Sequence, residues 1–245
     1  MNKQLGVENL TVSYRRHPAL HHINALFNLG ATTAIVGPNG GGKSTLLKTL
    51  IGEVKPETGK IIKAGISSQD IAYLPQFSKV DDGLPMLVED AVLLGLWYEI
   101  GLFGGVESNA QDQVARALEM VGLAGFEKRY LSELSRGQFQ RTLFARIIMQ
   151  DAPIVLLDEP FNAVDSKTIE DLLQIITTWN TQGKTVIAVL HDLSQVVNTF
   201  EYSLLVAKNL IAYGKSSQVL TNSNLQKAYA SNLGWMGSNM NACEI

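Results

Sequence analysis

The chain has 245 residues, 46% of them hydrophobic and 18% charged, with 20 Lys+Arg against 23 Asp+Glu and a single cysteine. At that length folding removes roughly 70–75% of the unfolded chain's surface, enough for one or two close-packed lobes that need no disulfide or metal staples. A formal net charge of −3 provides no broad basic field for a nucleic-acid backbone, and Cys243, without a second cysteine, excludes an intramolecular disulfide, so a reducing compartment is expected.

The N-terminal ten residues, MNKQLGVENL, contain neither an apolar signal core nor a small-residue cleavage site, and a cytoplasmic location is expected. Leu5, Val7, Leu10, Val12 and Tyr14 alternate as in a strand. His17 and His21 have the spacing of a helical metal-binding pair, but Pro18 lies between them. The segment through His22 is therefore expected to be a solvated turn. Ala31–Val36 is a β-rich run that ends at Gly37, and Lys43–Ile51 has helical composition and stops at Gly52. Further strands are expected at Ile71–Leu74, Ile154–Leu157, Thr185–Leu190 and Ser203–Ala207, with helices at Ser166–Trp179 and Leu193–Phe200. Apolar strands alternating with helices predict a largely parallel α/β sheet.

Between Val88 and Gln150 the pattern changes to helices alone: Val88–Tyr98, Gln111–Val121 and Gln138–Gln150, the last with Phe139, Leu143, Ile147 and Ile148 as its apolar stripe. The apolar stretch from Leu84 to Val106 is divided by Glu89, Asp90 and Glu99, so no part of it approaches the ~20 residues of a spanning helix. No internal repeat or long linker is evident, and Ser238–Ile245 reads as a frayed tail.

Three segments carry chemistry. Gly37, Pro38, Asn39, Gly40, Gly41 and Gly42, followed by Lys43, Ser44 and Thr45, fit G-x-x-x-x-G-K-[ST] between a strand and a helix. Backbone N–H groups of such a loop curl around phosphate oxygens, the lysine reaches the β/γ-phosphates, and the Ser44 hydroxyl faces Mg²⁺. Ile154-Val-Leu-Leu-Asp158-Glu159 puts two carboxylates at the exit of a buried strand. There Asp158 can hold Mg²⁺ and Glu159 can activate a water. Ser135 of Leu134-Ser-Arg-Gly-Gln138 is a helix N-cap, and Ser-x-Gly at a helix start is also a candidate second anion site.

These segments occur in a fixed order with Gln76 of Tyr-Leu-Pro-Gln, Asn-Ala-Val-Asp165 and Leu-His191-Asp. The set resembles the nucleotide-binding subunit of ATP-binding-cassette (ABC) transporters from Val7 to about Tyr229. The resemblance implies a P-loop ATPase fold: a RecA-like parallel sheet core with an N-terminal antiparallel β region and an inserted helical subdomain. It divides the chain into a core at 1–83 and 151–219, the helical subdomain at 84–150 and a C-terminal tail at 220–245. It further implies that Tyr14 stacks on adenine, that Gln76 touches Mg²⁺ and the attacking water, and that His191 contacts the γ-phosphate. By the same resemblance Ser135, Arg136, Gly137 and Gln138 would reach the nucleotide of a second copy in a head-to-tail dimer, with the Asp165 segment beside them. Arg136 and Asn162-Ala163 depart from the usual family pattern, and ATPase activity is expected to survive both.

Partners implied in the same way are integral-membrane permease subunits, docked in a groove lined by Phe77–Leu94, and indirectly an extracytoplasmic solute-binding protein. The chain would then sit on the cytoplasmic face of the membrane. Leu84–Gly95, Glu159–Asp165 and Val219–Tyr229 are similar to bacterial manganese/zinc/iron-type importers. An ATPase of an iron-chelate, haem or cobalamin importer, or a soluble ATPase of iron–sulfur cluster assembly, would share the nucleotide motifs.

Overall fold

The structure, a computed structural model, describes residues 3–15, 17–76, 85–97, 109–162 and 164–238. The chain begins with two long antiparallel strands, β1 (Gln4–Tyr14) and β2 (His17–Phe27), followed by the short buried strand β3 (Thr32–Val36) and helix α1 (Lys43–Ile51). Next come β4 (Thr58–Ala64) and β5 (Ile71–Leu74), then α2 (Val88–Leu93), α3 (Ala110–Met120) and α4 (Arg136–Gln150). The remainder runs β6 (Ile154–Asp158), α5 (Ser166–Thr181), β7 (Thr185–Val189), α6 (Leu193–Thr199), β8 (Tyr202–Ala207), β9 (Asn209–Lys215), α7 (Ser216–Val219) and α8 (Asn222–Ser238).

Two sheets result. One has the order β2-β1-β4 and is antiparallel; the other has the order β5-β6-β7-β3-β8-β9, parallel except for β9. Side chains alternate across the larger sheet, which divides its apolar residues between two cores. Ile35, Leu156, Ile187, Val189, Leu204 and Val206 face α1 and the antiparallel sheet, where Leu46, Leu47 and Leu50 meet Leu5, Leu10, Leu20 and Ile23. Their neighbours Ala34, Val36, Val155, Leu157, Val186, Ala188 and Leu205 face the opposite way, toward α4, α5 and α6. In that second core Phe144 and Trp179 stack at 5.7 Å between centroids, joining α4 to α5.

The sequence places most elements within two residues, but the structure corrects it in the N-terminal third. His17–His22 is the first half of β2, paired with β1 through Tyr14↔His17 and Val12↔Leu20, and is not a turn. Three histidines and a proline conceal the strand because its outward positions face water; pairing with β1 supplies the order that composition does not. The strand is also irregular, with His22 at φ +50° and register shifts against β1, which breaks the alternation that marks a strand in sequence. Strands β4 and β9 were not among the strands expected from the sequence.

Two further corrections concern helices. The helix from Val88 ends at Leu93 and tightens to a 3₁₀ turn over Leu94–Leu96, while Tyr98 lies outside the described residues. On α4 the deepest residues are Gln140, Thr142, Phe144, Ala145, Ile147 and Met149, and Phe139, Leu143 and Ile148 are only partly buried against the core. The helix is covered on several sides, so a single apolar stripe does not describe it. Among the described residues no helix is long and apolar enough to cross a membrane.

Candidate functional site

Buried strands β3 and β6 flank β7, and their C-terminal ends deliver the phosphate loop and the two acids to one edge of the sheet. The loop from Gly37 to Gly42 leaves no room for a side chain at several of its glycines. At Gly42, φ +94°, a Cβ would press on the Ala19 carbonyl and on Leu20, and at Gly37, φ +146°, on the Val206 carbonyl. Gly42 then starts α1 with no side-chain cap, and the first residues of that helix, Lys43 to Thr45, line the cavity. The loop is held from outside by Lys208 N–H, which donates to the Gly41 carbonyl at 2.8 Å.

The cavity at this point measures about 690 Å³ and is walled by Tyr14, the loop from Asn39 to Thr45, Gln76, Glu159, Asn162 and His191. Lys43 is buried and folds back over the loop, its Nζ donating to the Gly37 and Pro38 carbonyls at 3.0 Å each. Desolvation pulls its pKa down against the raising influence of Glu159 and Asp158. A polyanion in the cavity would supply the charge partner that two carbonyls only partly replace.

Asp158 is 1% exposed and accepts from Ser44 Oγ at 2.8 Å. Burial raises its pKa, opposed by the Ser44 hydrogen bond. Among the described residues no lysine or arginine pairs with it. Ser44 and Gln76 line the cavity and Asp158 reaches it through the Ser44 hydroxyl, and this set of hard oxygen donors fits Mg²⁺.

Glu159 is the most connected side chain of the site. Its Oε2 accepts from Gln76 Nε2 and from Asn162 Nδ2, both at 2.5 Å, and its Oε1 lies 2.8 Å from His191 Nε2. Its backbone is left-handed, φ +50°, a conformation that costs a non-glycine residue of order 1–3 kcal/mol and is kept where the surroundings over-determine it. Segments that follow β5, β6 and β7 thus converge on one carboxylate.

Tyr14, at the end of β1, lines the cavity and is 48% exposed. Asn162 and Ala19 also line the cavity and were not singled out from sequence as site residues. Asn162 had a signal, its place three residues after Glu159; Ala19 had none, because β2 was not recognised.

Ser135, Arg136, Gly137 and Gln138 are not among the residues lining this cavity. Ser135 caps α4, its Oγ accepting from Gln138 N–H while Gln138 Oε1 accepts from Ser135 N–H. A Cβ on Gly137 would come within 3.3 Å of Asp165 Oδ2 and 3.4 Å of Thr168 Oγ1, so the start of α4 lies over the start of α5. Asp165 caps α5: it accepts from Thr168 N–H and Oγ, and these bonds, the backbone one foremost, lower its pKa. Arg141 ties the two helices together, donating to the Val121 carbonyl, Thr168 Oγ1 and Asp171 Oδ2 at 2.8, 3.2 and 2.7 Å. Of the expected groove, residues 77–84 lie outside the described residues; Met86 and Leu87 are partly buried and Leu94 is 44% exposed.

A glycine loop at the N-terminus of a helix, a lysine folded over it and an Asp-Glu pair at the end of the neighbouring strand define a P-loop nucleotide-binding protein. Residues 20–162 match the family model described as ABC transporter, and the chain belongs to that family. It is 37% identical to the manganese transport system ATP-binding protein MntB of Bacillus subtilis over 94% of each chain. Among solved structures it is similar to an inward-facing ABC transporter assigned to the metal-chelate type, at 33% identity and a TM-score of 0.82, covering 94% of this chain and 90% of that one. It is also similar to the dimeric bacterial ABC transporter cassette MJ0796, at 26% identity and a TM-score of 0.75, covering 86% and 98%.

Proposed function

We propose that the chain is the ATP-hydrolysing subunit of a bacterial importer of divalent metal ions. The observation that carries the catalytic half is Glu159, held by Gln76, Asn162 and His191 at the mouth of the phosphate loop. Lys43 and the loop N–H groups bind the phosphates, and Tyr14 stacks on the base. Glu159 accepts the proton of the attacking water, with Gln76 and His191 fixing where that water stands. Ser44, Asp158 and Gln76 would hold Mg²⁺, which when bound neutralises charge on the phosphate oxygens.

Because Ser135–Gln138 lie outside their own cavity, a second copy turned head to tail would bring them to the nucleotide. A missing transition-state donor costs about 3–4 kcal/mol, so a lone subunit would be nearly idle. The dimeric MJ0796 cassette supports that arrangement. We take 1–83 and 151–219 as the core, 84–150 as the helical subdomain that would meet permease subunits, and 220–245 as the tail. The chain would work at the cytoplasmic face of the membrane, with a solute-binding protein outside.

The manganese relatives support Mn²⁺ as cargo. The likeness to a metal-chelate-type transporter favours a second reading, in which the cargo is a chelated metal. Uptake of radioactive Mn²⁺ and of chelated iron by cells with and without this subunit separates the two. Uptake of neither depending on the subunit would refute both.

A further inference from the structure

The two oxygens of the Asp158 carboxylate have different partners. Oδ1 accepts from Ser44 Oγ at 2.8 Å, and Oδ2 accepts from the Tyr73 hydroxyl at 3.4 Å, its one hydrogen-bond donor among the described residues. Tyr73 is on β5, where it pairs in register with Leu156, two residues before Asp158 on β6. Its ring also walls a second cavity of about 420 Å³, together with Lys63, Leu94, Trp97 and Arg146. Its carbonyl accepts from Arg146 Nη2 at 3.4 Å. The residue is partly buried against the core between the two sheets, and its hydroxyl reaches the one oxygen that Ser44 leaves unmet.

We infer that Tyr73 is a positioning residue for the Asp158 carboxylate: by holding Oδ2 it keeps Oδ1 on Ser44, the pair that would hold the cation. A carboxylate rotates about its last torsion, and a buried oxygen without a donor seeks another partner. Hydrogen-bonded partners of metal ligands are typically worth about 10–100-fold in metal affinity, and a bond of this length belongs near the lower end.

The inference rests on the Mg²⁺–nucleotide reading above, and one titration separates the two. Full-length protein and a fluorescent ATP analogue are titrated with Mg²⁺ for the wild type, Tyr73→Phe, Asp158→Asn and the double variant. Phenylalanine retains the ring and the cavity wall and removes only the hydroxyl. Half-saturating Mg²⁺ is expected to rise about tenfold in Tyr73→Phe. Analogue affinity in EDTA should be unchanged, and the Phe substitution should have no further effect on Mg²⁺ dependence in the Asp158→Asn background. Wild-type binding indifferent to Mg²⁺ would overturn the underlying reading. Mg²⁺-dependent wild-type binding with a superimposable Tyr73→Phe curve would overturn the positioning role alone. Equal weakening with and without Mg²⁺ would mark Tyr73 as a packing residue and overturn it as well.

Discussion

Replacing Glu159 by Gln removes a base while leaving the site's shape in place, and the geometry shows why. Both amide donors, Gln76 Nε2 and Asn162 Nδ2, go to Oε2, and His191 alone faces Oε1. A glutamine with its oxygen at the Oε2 position accepts both amides, and its NH₂ at the Oε1 position donates to His191 once that ring carries its proton on Nδ1. The hydrogen-bond set survives, and so should ATP binding. General-base catalysis contributes about 10²–10⁴-fold, so turnover should fall by that factor, about 2.7–5.4 kcal/mol in barrier height. The assay is phosphate release in a single turnover on the complete transporter, with size-exclusion chromatography of the ATP-bound subunit to detect a trapped dimer. Hydrolysis by Glu159→Gln within a few-fold of wild type would refute the base assignment and the reasoning from the carboxylate's three partners.

Lys43→Ala removes a charge-assisted contact worth about 1.5–3 kcal/mol, so calorimetric ATP affinity should fall roughly 10- to 150-fold, and an unchanged value would contradict the phosphate role. Tyr14→Ala should cost about 1–3 kcal/mol of nucleotide binding while Tyr14→Phe binds like wild type, because stacking needs the ring and not the hydroxyl. Gly37→Ala pushes a methyl group into the Val206 carbonyl at a positive φ; a loss of about 2–3 kcal/mol should appear as a melting temperature roughly 4–12 °C lower. For Asp158→Asn the expectation concerns pH. Burial raises the native carboxyl's pKa above its ordinary value, so the folded state holds the proton more tightly than the unfolded chain. Wild-type stability from this group is therefore lost as pH rises above about 4. Denaturation free energies should show Asp158→Asn gaining on wild type from acid toward neutral pH, with cation-dependent nucleotide binding lost; wild type gaining on the variant as pH rises would reverse the sign and refute the desolvation argument.

Much of the site was legible because its chemistry is local in sequence. The phosphate loop, the helix from Lys43 to Ile51 and the Asp158-Glu159 pair each lie in an uninterrupted segment whose residue types are dictated by backbone shape or charge. Gln76 and His191 were reached through the family resemblance, and their meeting on Glu159 was not visible in spacing, since they come from the ends of different strands. Asn162 read as a departure from the usual pattern and is in fact a donor to the same carboxylate.

The parallel core and the glycine-bent loop followed from the sequence alone, because apolar strands alternating with helices and a run of glycines before a helix admit few other structures. The sequence also determined the family, through the order of its short motifs. Tertiary structure decided that His17–His22 is a strand, since a half-solvated edge becomes ordered only by pairing with β1. It decided that Ser135–Gln138 lie away from their own cavity and over the cap of α5, a relation set by how α4 packs on α5. It also set the Tyr73 hydroxyl against Asp158, through the register of β5 on β6, which depends on two cores closing on one sheet at once.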